Sequence, residues 1–202
     1  RYVAAVLYYS MGGGTWKNET NYLSGKHECD WHGIICGSNM DTGVVKVILL
    51  DDNNLTVSVP DEIFALKLKE LSLVRNHIHG SIPQSICNLG SSVTNICLHK
   101  NAMTSTIPSC IGELESLREL SLWENELTGS IPSTINNLKA LRSLDLSINF
   151  LTGQVTIDFK LLSKDLDILV LYDNMMSGSI PPSVKYFEGQ SFLLGGRGSN
   201  MS

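Results

Sequence analysis

The sequence predicts an α/β solenoid: a helical N-terminal cap, then six stacked units whose short strands form one concave parallel sheet. Two markers and one local pattern carry that reading. Five of the six prolines, Pro60, Pro83, Pro108, Pro132 and Pro181, lie 23, 25, 24 and 49 residues apart, and 49 is two steps with one proline missing. Asn53, Asn76, Asn101, Asn125, Asn149 and Asn174 lie 23, 25, 24, 24 and 25 residues apart, in register with them. Between the markers, short stretches alternate apolar and polar residues, as half-buried strands do. A fixed period of this length means a repeat array.

Residues 1–44 read as the cap. Val3, Val6, Leu7 and Tyr9 form a helix-like stripe, and Gly12, Gly13 and Gly14 stop it. Trp16 follows, then the segment Cys29-Asp30-Trp31-His32-Gly33-Ile34-Ile35-Cys36. The six units begin at Val45, Leu68, Val93, Leu117, Leu141 and Leu166 and fill residues 45–189. The fourth, LRELSLWENELTGSIPSTINNLKA, shows the pattern most clearly: LxxLxLxxNxLTGxIPxxIxxLxx. Its strand leucines point inward and the residues between them outward. The asparagine ends the strand, and its amide can both donate to and accept from backbone groups that the turn leaves unpaired. The Gly-x-Ile-Pro piece turns the chain, and IxxL brings two more apolar residues inward. No unit can bury its own apolar face, so the units must stack. Residues 190–202 read as a degenerate end or a truncation, with Phe192, Leu193 and Leu194 able to form a seventh strand. The chain starts at Arg1, inside the helical stretch, which fits a removed signal peptide, a longer precursor or a trimmed chain.

On these residues the chain resembles the plant-type, 24-residue leucine-rich-repeat family, from Val45 to about Gly189. The resemblance implies a curved superhelix, with a second strand per unit on the convex side formed by the Leu-Thr-Gly-x-Ile-Pro segment. Three units depart from the pattern: Val57 and Ser105 stand where others have glycine, and unit five has Val155-Thr156 in place of Ile-Pro. Irregularity of the convex side is expected there. The CxWxGIxC segment resembles the N-terminal cap of secreted plant and algal leucine-rich-repeat proteins. That resemblance implies a Cys29–Cys36 disulfide, with Trp31 packed on the first repeat. His27 and His32 beside these cysteines sketch a zinc site, but the spacing is wrong for a zinc ribbon.

Five cysteines leave at least one unpaired. Cys87 and Cys110 follow the prolines of neighbouring units, so stacking can bring them within bonding distance; two small buried thiols are the alternative. Cys97 points out of the sheet and reads as the free thiol. Asn18, Asn54 and Asn200 head Asn-x-Ser/Thr sequons, the glycosylation candidates. Together with the cap these features lean towards a secreted or extracellular protein.

The formal charge is −5, which argues against nucleic-acid partners. No apolar run reaches the roughly 20 residues of a membrane span. No phosphate loop, dinucleotide fingerprint, HExxH or nucleophile elbow occurs, so the reading is non-enzymatic, with no cofactor and no metal. The concave sheet is the surface left to carry function. Its candidate ligand contacts are Val74, Arg75, His99, Lys100, Trp123, Glu124, Asp145, Ser147, Tyr172 and Asp173, all at positions read as outward-facing. Trp123 and Tyr172 share a column, and aromatics there suit a binding hot spot. Val170, Ile168, Ile148 and Tyr172 make an apolar end that meets either a partner or a further repeat. The expected partner is a protein or peptide; the alternatives are cell-wall or matrix polysaccharide stacking on the two aromatics, and a scaffold role in a larger receptor or adhesion protein.

Overall fold

The computed structural model describes residues 1–38 and 43–195, and the backbone of 200–201. One helix, α1 (Tyr2–Ser10), opens the chain. The strands, numbered in chain order, sort into two sheets. The first holds β1 (Ile34–Cys36), β2 (Val45–Leu49), β4 (Glu70–Ser72), β6 (Asn95–Cys97), β8 (Glu119–Ser121), β10 (Ser143–Asp145), β12 (Ile168–Val170) and β14 (Ser191–Leu193). The second holds β3 (Thr56–Val57), β5 (His77–Ser81), β7 (Ala102–Ser105), β9 (Glu126–Gly129), β11 (Phe150–Gly153), β13 (Met175–Gly178) and β15 (Asn200–Met201). Every unit therefore gives one strand to each sheet. All neighbours run parallel except β1, which is antiparallel to β2.

The register explains the core. Leu71, Ile96, Leu120, Leu144 and Leu169 stand side by side, and none exposes any surface. Burying each such side chain contributes about 1.5–3 kcal/mol. After the first-sheet strand, each asparagine side chain ties its unit to the one before. Asn125 donates to the carbonyls of Leu98 and Leu122 and accepts from the Met103 amide. Asn149 repeats this with Leu122, Leu146 and Leu127, and Asn174 with Leu146, Leu171 and Leu151. Asn53 has no earlier repeat, and it exchanges the same bonds with the Asn18 backbone of the cap.

The prolines open 3₁₀ turns at 61–65, 84–92, 109–113, 133–137 and 182–186. Proline brings a fixed φ and has no N–H to lose there. Its carbonyl accepts the amide three residues on, as from Ile111 to Pro108 at 3.1 Å and from Ile135 to Pro132 at 3.0 Å. Unit five has no proline and no such helix; its chain turns at Asp158, whose carbonyl accepts both Leu161 and Leu162 amides. The convex turn is left-handed in Gly80, Gly129, Gly153 and Gly178, and Val57 (φ 68°) and Ser105 (φ 71°) keep that conformation without glycine. Side chains pay strain there, most of all a β-branched one.

The ends are closed by aromatic rings. Tyr8, Trp16, Tyr22 and Trp31 pack in a chain with centroids 4.9–5.5 Å apart, and the Trp16 indole donates to the Met11 carbonyl. In α1 the buried residues are Ala4 and Leu7, whereas Tyr9 is 73% exposed, so the stripe predicted through Tyr9 is narrower than the sequence suggested. Gly33 (φ +73°) accepts the Leu49 amide at 2.7 Å, and a Cβ on it would meet the Leu49 carbonyl oxygen at 2.1 Å. A glycine in the CxWxGIxC segment thus lets the cap dock edge-on against the first repeat. At the other end Phe159, Phe187 and Phe192 cluster within 5.2–5.8 Å.

Candidate functional site

The outer face of the first sheet carries three columns of side chains. The first runs Val47, Glu70, Asn95, Glu119, Ser143, Ile168 and the second Leu49, Ser72, Cys97, Ser121, Asp145, Val170, both aligned by strand register. The third, two residues past the strand ends, runs Asp51, Val74, His99, Trp123, Ser147, Tyr172. Among the described residues no other element of the chain is hydrogen-bonded across this face.

Its centre is a packed cluster. The rings of His99 and Trp123 stack at 4.9 Å with planes 15° apart. Lys100 Nζ lies 4.7 Å from the Trp123 ring centre and 3.2 Å from the Glu124 carboxylate. His99 Nδ1 is 2.9 Å from Ser121 Oγ. Burial pushes the His99 pKa below its usual value, opposed by Asp51, Asp145 and Glu119 and reinforced by Lys100. Trp123 was expected to stand free; it is half-buried, because parallel strands bring the His99 ring alongside at strand spacing.

Other candidates also move. Ser147 was expected to face outward, but it is 1% exposed, and its hydroxyl and amide both donate to Asp145 Oδ1. Asp51 does the same work one repeat apart, accepting from Ser72 Oγ at 2.6 Å and the Val74 amide at 2.8 Å. Small serines between larger neighbours are covered by them. Arg75, Lys100, Glu124 and Asp173 do not stand on strands: their φ values are 54°, 58°, 55° and 52°, so they sit in the left-handed turn just before each ladder asparagine and rim the face. Tyr172 is half-buried. Val170 is only 8% exposed, and β14 pairs Leu193 beside it. The apolar end is thus partly closed by a further strand of this chain, with Ile168 left 37% exposed.

Cys29 and Cys36 are disulfide-bonded with Cα atoms 5.5 Å apart, and Cys87 and Cys110 with Cα atoms 5.9 Å apart. His27 lies beside the first pair, but sulfurs bonded to each other offer no thiolate to a metal. Cys97 is free. Burial, with Glu119 next to it, pushes its thiol pKa up to about 12, so it holds no nucleophilic thiolate near neutral pH. Of the sequons, Asn54 commits its side-chain nitrogen to the Thr15 carbonyl, whereas Asn18 uses its oxygen, which accepts from Thr20. The Asn200 side chain lies outside the described residues.

Glu119 and Glu70 also stand on this face, in the first column, outside the ten candidate contacts. Glu119 accepts from Asn95 Nδ2 at 2.9 Å and from Cys97 Sγ at 3.6 Å. Two glutamates in one outward column were the available signal.

Residues 67–89 and 91–151 match family models described as leucine-rich repeat, and the fold is a leucine-rich-repeat solenoid. The chain is 36% identical over 91 residues to the LRR receptor-like serine/threonine-protein kinase GSO2 of Arabidopsis thaliana, covering 45% of this chain and 7% of that protein. It thus spans a small part of that relative. Among solved structures, the plant peptide hormone receptor RGFR1 in complex with RGF2 superposes with a TM-score of 0.68 at 31% identity, over 76% of this chain and 24% of that one. The PEPR1–AtPEP1 structure superposes with a TM-score of 0.81 at 25% identity, over all of this chain and 29% of that one.

Proposed function

We propose that this chain is a non-enzymatic recognition module, displayed outside the cell, that binds a peptide or short protein segment along its concave face. The observation that carries the reading is the uncovered parallel sheet with Trp123 and Tyr172 in one column. Half-buried aromatics held in place by neighbours lose little freedom on binding, which is what makes such residues hot spots. The likeness to RGFR1, solved with RGF2, supports a peptide as the occupant. The two disulfides support an oxidising compartment. The carbohydrate alternative draws less support, because the His99 ring stacks on Trp123 and occupies surface that a sugar would use.

Selection of a displayed library of random 12-residue peptides on the whole chain tests this. Peptides should be enriched, and Trp123→Ala with Tyr172→Ala should weaken them at least tenfold while the protein stays folded. No enrichment, or full binding to the double variant, would overturn the reading.

A further inference from the structure

We infer that the peptide seated on this face is basic where it meets the sheet, with two Lys or Arg side chains three residues apart; this rests on the peptide-binding reading above. The three outward columns hold four carboxylates, those of Asp51, Glu70, Glu119 and Asp145, and not one Lys or Arg. The cations near this surface stand on its edges: Lys46, Lys69, Arg118 and Arg142 one residue before the first column, Arg75 and Lys100 in the turns.

Among the described residues, these carboxylates receive neutral donors only. Asp51 takes Ser72 and Val74, Asp145 takes Ser147, and Glu119 takes Asn95 and Cys97. Glu70 makes no hydrogen bond or ion pair among the described residues. The ion pair nearest the cluster, Lys100 with Glu124, lies on the rim and neutralises none of them. Four like charges on one half-buried face raise its negative potential, and an incoming cation relieves it.

The spacing adds the second half of the inference. Glu70 and Glu119 share a column on strands two apart, both in register with Asn95. At about 4.8 Å per strand that is roughly 10 Å. A polyproline II segment rises about 3.1 Å per residue and returns to the same side every third residue, about 9 Å on. Its residues i and i+3 therefore reach Glu70 and Glu119 together, with Trp123 two columns further along the strands.

The peptide selection described above, read for sequence, tests this. The expected result is enrichment of Lys or Arg at i and i+3. A synthetic 12-residue peptide carrying that pair should bind at least tenfold more weakly to Glu70→Gln with Glu119→Gln, and should weaken as salt is raised. Glu70→Gln alone disturbs no hydrogen bond, so it serves if the double variant does not fold, with a loss of at least threefold expected. Enriched peptides that are acidic or neutral, yet still lost on the Trp123 and Tyr172 variant, would overturn the basic partner and leave the peptide-binding face standing. Basic peptides indifferent to both glutamate variants would overturn it too, and no enrichment at all would overturn both.

Discussion

The middle repeats and the N-terminal cap solve the same problem in opposite ways. In the middle, each leucine is buried by the equivalent leucine of the next unit, and each asparagine satisfies the backbone of its neighbour. Regular copies need no large side chains, and the core there is almost wholly aliphatic. The cap has no earlier copy to lean on. It covers the first repeat with four aromatic rings, an antiparallel strand and a disulfide. Burial between repeats is cooperative and spread evenly, whereas burial under a cap is local and pinned at a few points.

Breaking one rung of the ladder should have the largest effect. Asn125→Ala leaves the Met103 amide unpaired in the interior and takes one of two donors from the Leu98 and Leu122 carbonyls, which keep Asn101 and Asn149, so denaturant unfolding should show a loss of about 2–4 kcal/mol. A loss below about 0.5 kcal/mol would mean that the rungs do not hold the units together. Next comes the pin of the cap. Replacing Cys29 and Cys36 by serine opens a short loop worth about 2.5 kcal/mol, and hydrogen exchange should speed up in residues 1–44 before it does in the middle repeats. Earlier opening of the middle would contradict the division.

A smaller and opposite effect is expected at the convex turn. Val57 holds φ at 68° where four other units use glycine, so Val57→Gly should stabilise by about 1 kcal/mol, while Gly129→Val should destabilise by at least as much. Unchanged melting of both variants would show that the turn carries no strain. The smallest change is with pH. Burial lowers the His99 pKa, so between that value and about 6.5 the unfolded chain binds more protons than the folded one. The contribution is complete above that window and is lost as pH falls through it. Melting from pH 7.5 down to 5.5 should therefore decline more in the native chain than in His99→Gln; parallel curves would remove His99 from the account.

Much of this was legible in the sequence because a repeat samples one local rule six times. The asparagine and proline spacings give the strand, turn and 3₁₀ segment of each unit, and even the convex irregularity at Val155-Thr156. The candidate site was less legible. Alternation says that Trp123 and Ser147 face the same way, yet one is half-buried on a histidine and the other fully covered. Those outcomes depend on which side chains the neighbouring strands supply.

By itself the sequence determined the unit, its period and the inward set, because period and polarity act through local geometry. Only the tertiary structure decided which outward residues remain accessible and which charges lack a partner. It also decided that Arg75, Lys100, Glu124 and Asp173 rim the face rather than floor it. Those properties arise between strands about 4.8 Å apart, from residues some 24 positions distant in the chain, where no local pattern reaches.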